Sequence, residues 1–287
     1  MPRPPTSTLA LVVTALVGLA AAPGLARAQG FSFSTGNVDG LMAIGARPGA
    51  PLEIEPADDF VTSRSIRLTS ATFTGLVPAN FTPGDANFAR VQLYELFPNS
   101  SVDPPSGDVP TRANSPADVA LLQRATGAGL TFTTTVLSPS FTASNSVLDG
   151  INPVPDQTTG GEGPVTGQLV RFDLTFTQPI VLGAGHYFFV PQAGLASGDF
   201  FWLSSVRPIV APGTPFAPDL QAWIRNEDLA PDWLRVGTDV VGGSPAPTFN
   251  AAFTLEGTVV PEPSTVVLVA AGLAAVGGFA RRRRAAA

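Results

Sequence analysis

The clearest structural signal in the chain is the stretch Val170-Arg171-Phe172-Asp173-Leu174-Thr175-Phe176-Thr177. Apolar and polar side chains alternate through its whole length. Because successive side chains of a β-strand point to opposite faces, one face of this strand is expected to be buried and the other wet. The stretch therefore predicts a half-buried strand within an all-β domain.

Segments rich in Thr, Val and Phe lie on both sides of that strand, and such residues suit a half-buried pleated sheet. Loops rich in proline and glycine separate them, as at the two ends of a sandwich. We therefore predict one all-β domain over residues 29–259, a jelly-roll-like β-sandwich with a phenylalanine-rich core. The further predicted strands are Ser65–Leu76, Ala89–Phe97, Leu130–Leu137, Gly185–Gln192, Phe200–Val206 and Asn250–Val259.

One or two short helices are expected to interrupt the strands. Ser115 can cap a helix whose first residue is Pro116, and Asp118 would lie in its first turn. A second short helix is predicted over Asn226–Leu234, limited by Pro231.

Composition excludes several functional classes. The 287 residues contain no cysteine, which rules out disulfides, thiolate zinc sites and cysteine nucleophiles. Between residues 29 and 260 there are 10 arginines and 21 acidic residues, so this part has a net charge of −11. Such an acidic surface would repel the phosphate backbone, and we expect no nucleic-acid partner. No cofactor is predicted either.

The N-terminus has the pattern of a secretory signal peptide. Arg3 supplies a positive charge, Leu9–Ala22 is an uncharged apolar run, and Ala26-Arg27-Ala28 fits the small-x-small site of signal peptidase. Cleavage is expected after Ala28, which assigns residues 1–28 to the signal. The alternative is a retained membrane helix, although 14 residues would span only about 21 Å of a 30 Å core.

The C-terminal residues 260–287 have three parts in a fixed order. Pro261-Glu262-Pro263 is held extended by its prolines, and Val266–Ala280 has no polar side chain. The third part is a cluster of four consecutive cations, Arg281, Arg282, Arg283 and Arg284. We expect a transmembrane helix whose arginines stay cytoplasmic, because cations stop translocation. A plain single-pass anchor is the alternative to a processed sorting tail.

This tripartite tail resembles the PEP-CTERM sorting domain of exported proteins from Gram-negative bacteria that make exopolysaccharide. The resemblance implies recognition by an exosortase, a membrane-embedded enzyme, with cleavage near the motif. Pro261, Glu262 and Pro263 carry over as recognition residues. The chain would first be anchored in the inner membrane facing the periplasm, and after processing would reach the cell surface or the medium.

Carboxylates near the start of the predicted domain are candidates for a calcium site. Asp58 and Asp59 follow Glu53 and Glu55, and calcium needs six to eight oxygen ligands. No EF-hand spacing is present, and carboxylates at a strand entrance are often only solvated turn formers. The only histidine, His186, lies in a predicted strand without a nucleophile elbow, and no catalytic residue is assigned.

Two tryptophans suggest a further function. Trp223 and Trp233 lie in a region that also holds Arg225, Asn226 and Asp232, so exposed indole faces there could stack on a sugar. The sequence thus predicts a non-enzymatic envelope or matrix protein associated with exopolysaccharide or biofilm. The alternatives are a carbohydrate-binding module that uses these indoles and a glycan-acting hydrolase.

Overall fold

The computed structural model describes residues 29–102, 106–151, 154, 157–206, 221–260 and 272. Strands dominate these residues, which confirms the all-β prediction. Helical structure among them includes a 3-10 helix at Pro83–Asp85 and a π-helix at Val236–Val241. The strands are β1 (Gly30–Ser34), β2 (Val38–Gly45), β3 (Ile54–Thr62), β4 (Ile66–Val77), β5 (Ala86–Glu95), β6 (Leu122–Thr126), β7 (Gly129–Ala143), β8 (Asn145–Val147), β9 (Val165–Leu182), β10 (Gly185–Leu195), β11 (Phe201–Ser205), β12 (Trp223–Asn226), β13 (Leu234–Arg235) and β14 (Phe253–Val259).

The strands of the described residues join into a single hydrogen-bonded sheet. Its order is β13-β12-β3-β10-β5-β6-β7-β9-β4-β11-β2-β8, and β14 pairs with both β4 and β1. Neighbours are antiparallel except at the β2–β8 and β6–β7 pairs, which are parallel. The sheet curls into a half-barrel, and one hydrophobic cluster lies between its two halves.

The joint between the halves is where the structure differs from the predicted two-sheet sandwich. Strand β6 turns directly into β7 and pairs with it, Ala125 opposite Gly129 and Thr126 opposite Leu130. Gly127 and Gly129 have φ values of 77° and 87°, which a residue without a Cβ adopts at no steric cost. This tight turn keeps the chain within one sheet, so the jelly-roll-like sandwich is corrected to a curled half-barrel.

Aromatic rings fill the space inside the curl, as the excess of phenylalanine predicts. Phe73 stacks on Phe172 with ring centroids 4.8 Å apart, and Phe189 stacks on Phe253 at 5.0 Å. The second pair joins β10 to β14 and therefore ties one half of the sheet to the other. Trp202 is fully buried beside them and donates its indole N–H to the carbonyl of Ala252 at 2.9 Å.

Strand β9 confirms the alternation from which the fold was predicted. Phe172 and Leu174 are buried in the core, whereas Arg171 and Asp173 face outward and Thr175 is exposed. The six other predicted strands are also present, with ends shifted by a few residues. No strand is predicted from the sequence at β1, β2, β3, β6, β8, β12 or β13.

Both predicted helices are wrong. The segment after Ser115 lies extended beside β5, where Ala117 and Leu121 donate backbone N–H groups to the carbonyls of Glu95 and Leu93. The Ser115 hydroxyl donates to the Pro116 carbonyl instead of capping a helix. The residues after Asn226 form a turn, so pairing with distant strands outweighs the local helix signals in both places.

Several predicted features lie outside the described residues. One is the signal peptide of residues 1–28 with its cleavage residues Ala26 and Ala28, and another is most of the apolar span. The remaining ones are the sorting residues Pro261, Glu262 and Pro263 and the predicted cytoplasmic stop formed by Arg281, Arg282, Arg283 and Arg284. Within the described ranges, no helix combines the length and the apolar character needed to cross a bilayer.

Candidate functional site

The outer face of β1, β14, β4, β9 and β7 carries ordered rows of hydroxyl side chains. Pairing aligns one side chain per strand in each row, because directly opposite residues of antiparallel strands share a face. One row contains both serine and threonine hydroxyls and one carboxylate, and a second has the same character. The first row is Ser34, Thr254, Thr72, Asp173 and Thr133, and the second is Ser32, Glu256, Ser70, Thr175 and Thr131.

Polar side chains on this face bond to one another along the rows. The hydroxyls of Thr72 and Thr254 lie 2.6 Å apart, and Ser32 donates to a carboxylate oxygen of Glu256 at 2.8 Å. Arg171 donates its Nε–H to Asp173 at 2.8 Å. These contacts fix the direction of the side chains but leave them open to solvent, so the face is both ordered and wet.

A groove of about 680 Å³ runs over this face. Thr72, Thr74, Arg171, Asp173 and Thr254 line it, with Leu137 and Leu169 among its apolar residues. Five strands about 4.8 Å apart make the face roughly 19 Å across. Hydroxyl, carboxylate and guanidinium groups provide both donors and acceptors, so the groove suits an extended ligand that is itself rich in hydroxyls.

Trp223 and Trp233 do not lie on an exposed surface. They are 1% and 0% exposed, and both belong to a small cluster covered by the segment that follows β5. The Arg225 guanidinium lies 4.3 Å from the centroid of the Trp233 ring, and the Trp233 indole donates to the Ala117 carbonyl at 3.1 Å. The prediction that these two indoles contact a glycan is therefore corrected, because their faces are covered by protein.

Asp232, which the sequence analysis placed beside those indoles as a ligand group, takes part in a buried ion cluster. Arg112 donates to Asp232 at 3.0 Å and also pairs with Asp118. The three side chains are at most 3% exposed, and the Arg112 guanidinium lies 4.6 Å from the centroid of the Phe97 ring. This ion cluster holds in place the segment after β5, which covers Trp223 and Trp233.

The carboxylates proposed for calcium point in different directions. Asp58 and Asp59 are adjacent on β3 and therefore face opposite sides of the sheet. Asp58 accepts from the backbone N–H of Ala251 at 2.7 Å, whereas Asp59 lies 2.6 Å from Nε2 of His186. Among the residues that the structure describes, no three Asp, Glu, His or Cys side chains are grouped to hold a metal. Asp58 and Asp59 are thus not a common calcium site in this fold.

Comparison with known families identifies the C-terminal region. Residues 259–284 match the PEP-CTERM protein-sorting motif. The chain carries a PEP-CTERM sorting motif. This match confirms the resemblance based on Pro261-Glu262-Pro263, the apolar span and the arginine cluster, and it implies a secreted protein processed by an exosortase. The chain matches no curated protein and no solved structure.

The outer face of β1, β14, β4, β9 and β7, the hydroxyl-rich face, was partly predicted from the sequence. Alternation in β9 correctly placed Arg171, Asp173 and Thr175 on a wet surface, but their neighbours on β4, β7 and β14 could not be assigned. The run Thr131-Phe132-Thr133-Thr134-Thr135 contains the same signal, since every second residue is a threonine. Which strands pair, and in which register, is a long-range property that a single sequence does not contain.

Both tyrosines should resist ionisation while the protein is folded. Burial, then the nearby Glu55 carboxylate, raises the pKa of Tyr94 well above its ordinary value, and burial followed by Glu95 raises the pKa of Tyr187. A raised pKa means that the folded state keeps a proton that the unfolded state loses, so stability should fall as the pH rises above about 10.

We expect an absorbance titration of the native protein to show little phenolate near pH 10, followed by a cooperative rise when alkali unfolds the chain. The Tyr187→Phe variant isolates the more deeply buried Tyr94. Half-ionisation of Tyr94 near pH 10 without loss of structure would contradict the raised pKa.

Proposed function

We propose that residues 29–259 of the exported protein form a non-catalytic cell-surface or matrix component that associates with exopolysaccharide. The observation that carries the proposal is the hydroxyl-rich face, which displays two aligned Ser/Thr rows and a groove on an exported chain. A polysaccharide presents many hydroxyls in extended order, and each can exchange hydrogen bonds with a row of threonines.

Three buried acids are held by structural partners, which removes them as candidates for a general acid or base. Asp118 and Asp232 are bound to Arg112, and Asp58 holds the backbone of Ala251. Each of these carboxylates has a structural partner, whereas a general acid or base must reach a substrate proton. Weak bonds repeated along a polymer provide avidity without a deep pocket.

The proposal is tested by co-sedimentation of the protein, purified from a host that exports it, with exopolysaccharide from the same host. We expect it to sediment with the polymer, and the double variant Thr72→Val/Thr254→Val to sediment less. The matched control Thr158→Val changes an exposed threonine in the loop before β9, outside both rows and the groove. Failure of the wild-type protein to sediment would overturn the association. Release of new reducing ends would favour the hydrolase alternative.

A further inference from the structure

A second polar cavity lies on the other half of the curled sheet. This cleft of about 360 Å³ opens on the outer face of β3, β5 and β12 and lies within the usual range for ligand pockets, about 300–1,000 Å³. Its floor consists of polar side chains that are almost completely buried, yet they line an open cavity. The charged and amide side chains that line the cleft include Glu53, Glu55, Arg90, Gln92, Gln123 and Arg225.

The floor of the cleft is centred on Glu55. One carboxylate oxygen accepts from Gln92 Nε2 at 2.6 Å and from the Tyr94 hydroxyl at 3.0 Å, and the other accepts from Arg225 Nε at 2.6 Å. Arg225 also donates to the Tyr94 hydroxyl at 2.8 Å, and its guanidinium packs over the Trp233 ring. A carboxylate 7% exposed with three donors is fixed in position, so the floor is rigid before any ligand arrives.

The mouth of the cleft is more open to solvent. Arg90 pairs with Glu53 and donates its Nε–H to Gln192 at 2.7 Å, while about a fifth of each ion-pair side chain remains exposed. Gln123 lies opposite Gln92 in the β5–β6 pairing and is exposed, and Glu227 is exposed at the turn after β12. The Gln123 amide and the Arg90 guanidinium can therefore contact a ligand above the fixed Glu55 carboxylate.

The balance of charge excludes most classes of ligand. Each of the two arginines has a carboxylate partner, and Glu227 adds a third acid, so an anion such as phosphate would be repelled. A cation would have to compete with Arg90 and Arg225 for the carboxylates that these arginines already bind, and an apolar molecule would leave the polar floor without water. What remains is a neutral molecule that both donates and accepts hydrogen bonds.

We propose that this cleft binds a neutral glycosyl unit. Vicinal hydroxyls match the donors and acceptors that Gln123 and the Arg90–Glu53 pair present at the mouth, above the fixed floor. This inference rests on the proposed association with exopolysaccharide and adds a separate point of recognition. The groove would bind the length of the polymer, and the cleft would select a unit within it or at its end.

The test uses oligosaccharides of two to six units made by partial acid hydrolysis of the host exopolysaccharide. They are titrated calorimetrically into the protein purified from the exporting host. We expect Gln123→Ala to weaken binding about fivefold, the effect of one lost hydrogen bond, and Gln123→Trp to abolish it by filling the mouth. Gln178→Ala, an exposed glutamine of β9 outside the cleft, should bind as the wild type does. Thermal melts verify that all variants fold.

The outcomes distinguish the proposed glycosyl site in the cleft from the proposed association with exopolysaccharide. Equal binding by all variants would overturn the cleft while leaving polymer association intact if the wild-type protein still sediments with exopolysaccharide. Binding of inorganic phosphate in place of the oligosaccharides would also overturn it, because the cleft would then be an anion site. If the wild type binds neither oligosaccharide nor polymer, both the cleft and the proposed function fail.

Discussion

Replacing Arg112 by methionine is expected to destabilise the protein by about 3–5 kcal/mol, because two buried carboxylates lose their common partner. Asp118 and Asp232 have side chains that are 1% and 0% exposed, so water cannot solvate the charges that remain. For a domain of this size the melting temperature should fall by about 10 °C. Urea unfolding followed by tryptophan fluorescence measures the loss directly, since Trp223 and Trp233 lie under the affected segment.

Two companion variants isolate the buried charge as the cause. Arg171→Met removes an arginine from the exposed pair with Asp173, and surface pairs of this kind contribute about 0–1 kcal/mol. Arg112→Met combined with Asp118→Asn and Asp232→Asn leaves no unpaired charge and should recover much of the loss. A single Arg112→Met variant that unfolds at the wild-type urea concentration would show that the cluster does not hold the segment in place.

This cluster also shows why the local helix prediction failed. Ser115, Pro116 and Asp118 have the residue types of a helix start, and nothing nearby in sequence opposes that interpretation. Asp118 instead pairs with Arg112, which in turn binds Asp232, 120 residues further along the chain. A contact of that sequence separation lies beyond any local window, yet breaking a buried ion pair costs more than losing a helix cap.

The tryptophans were misplaced for a related reason. Trp223 and Trp233 have polar neighbours in sequence, and such neighbours are typical of a surface loop. The structure uses one of those neighbours, Arg225, to cover the Trp233 ring with its guanidinium. A planar cation on an indole satisfies both groups inside the protein, so polar sequence context did not indicate exposure. Strand alternation was more reliable, because it depends only on the geometry of consecutive residues.

Changing Glu262 to alanine is expected to stop C-terminal processing while leaving export intact. From the sequence, Pro261 and Pro263 on either side of this residue are expected to keep the segment extended and outside the apolar helix that we predict for Val266–Ala280. The peptide bonds near Glu262 would then be accessible at the outer membrane surface, where an exosortase embedded in the bilayer can meet them. Export is expected to depend on the signal peptide that the sequence predicts at the other end of the chain, so it should not change.

Mass spectrometry of the mature C-terminus, in hosts with and without the exosortase, measures this effect. We expect a chain shortened near the motif only when the enzyme is present and Glu262 is intact. Glu256→Ala, six residues upstream on β14, is the matched control and should be processed normally.

Deleting Arg281–Arg284 tests a different part, because without those cations the apolar span is not stopped in the bilayer and retention should weaken. A C-terminus at Ala287 in both hosts would mean that the tail acts only as an anchor, since a sorting signal must be read by the enzyme that cuts it.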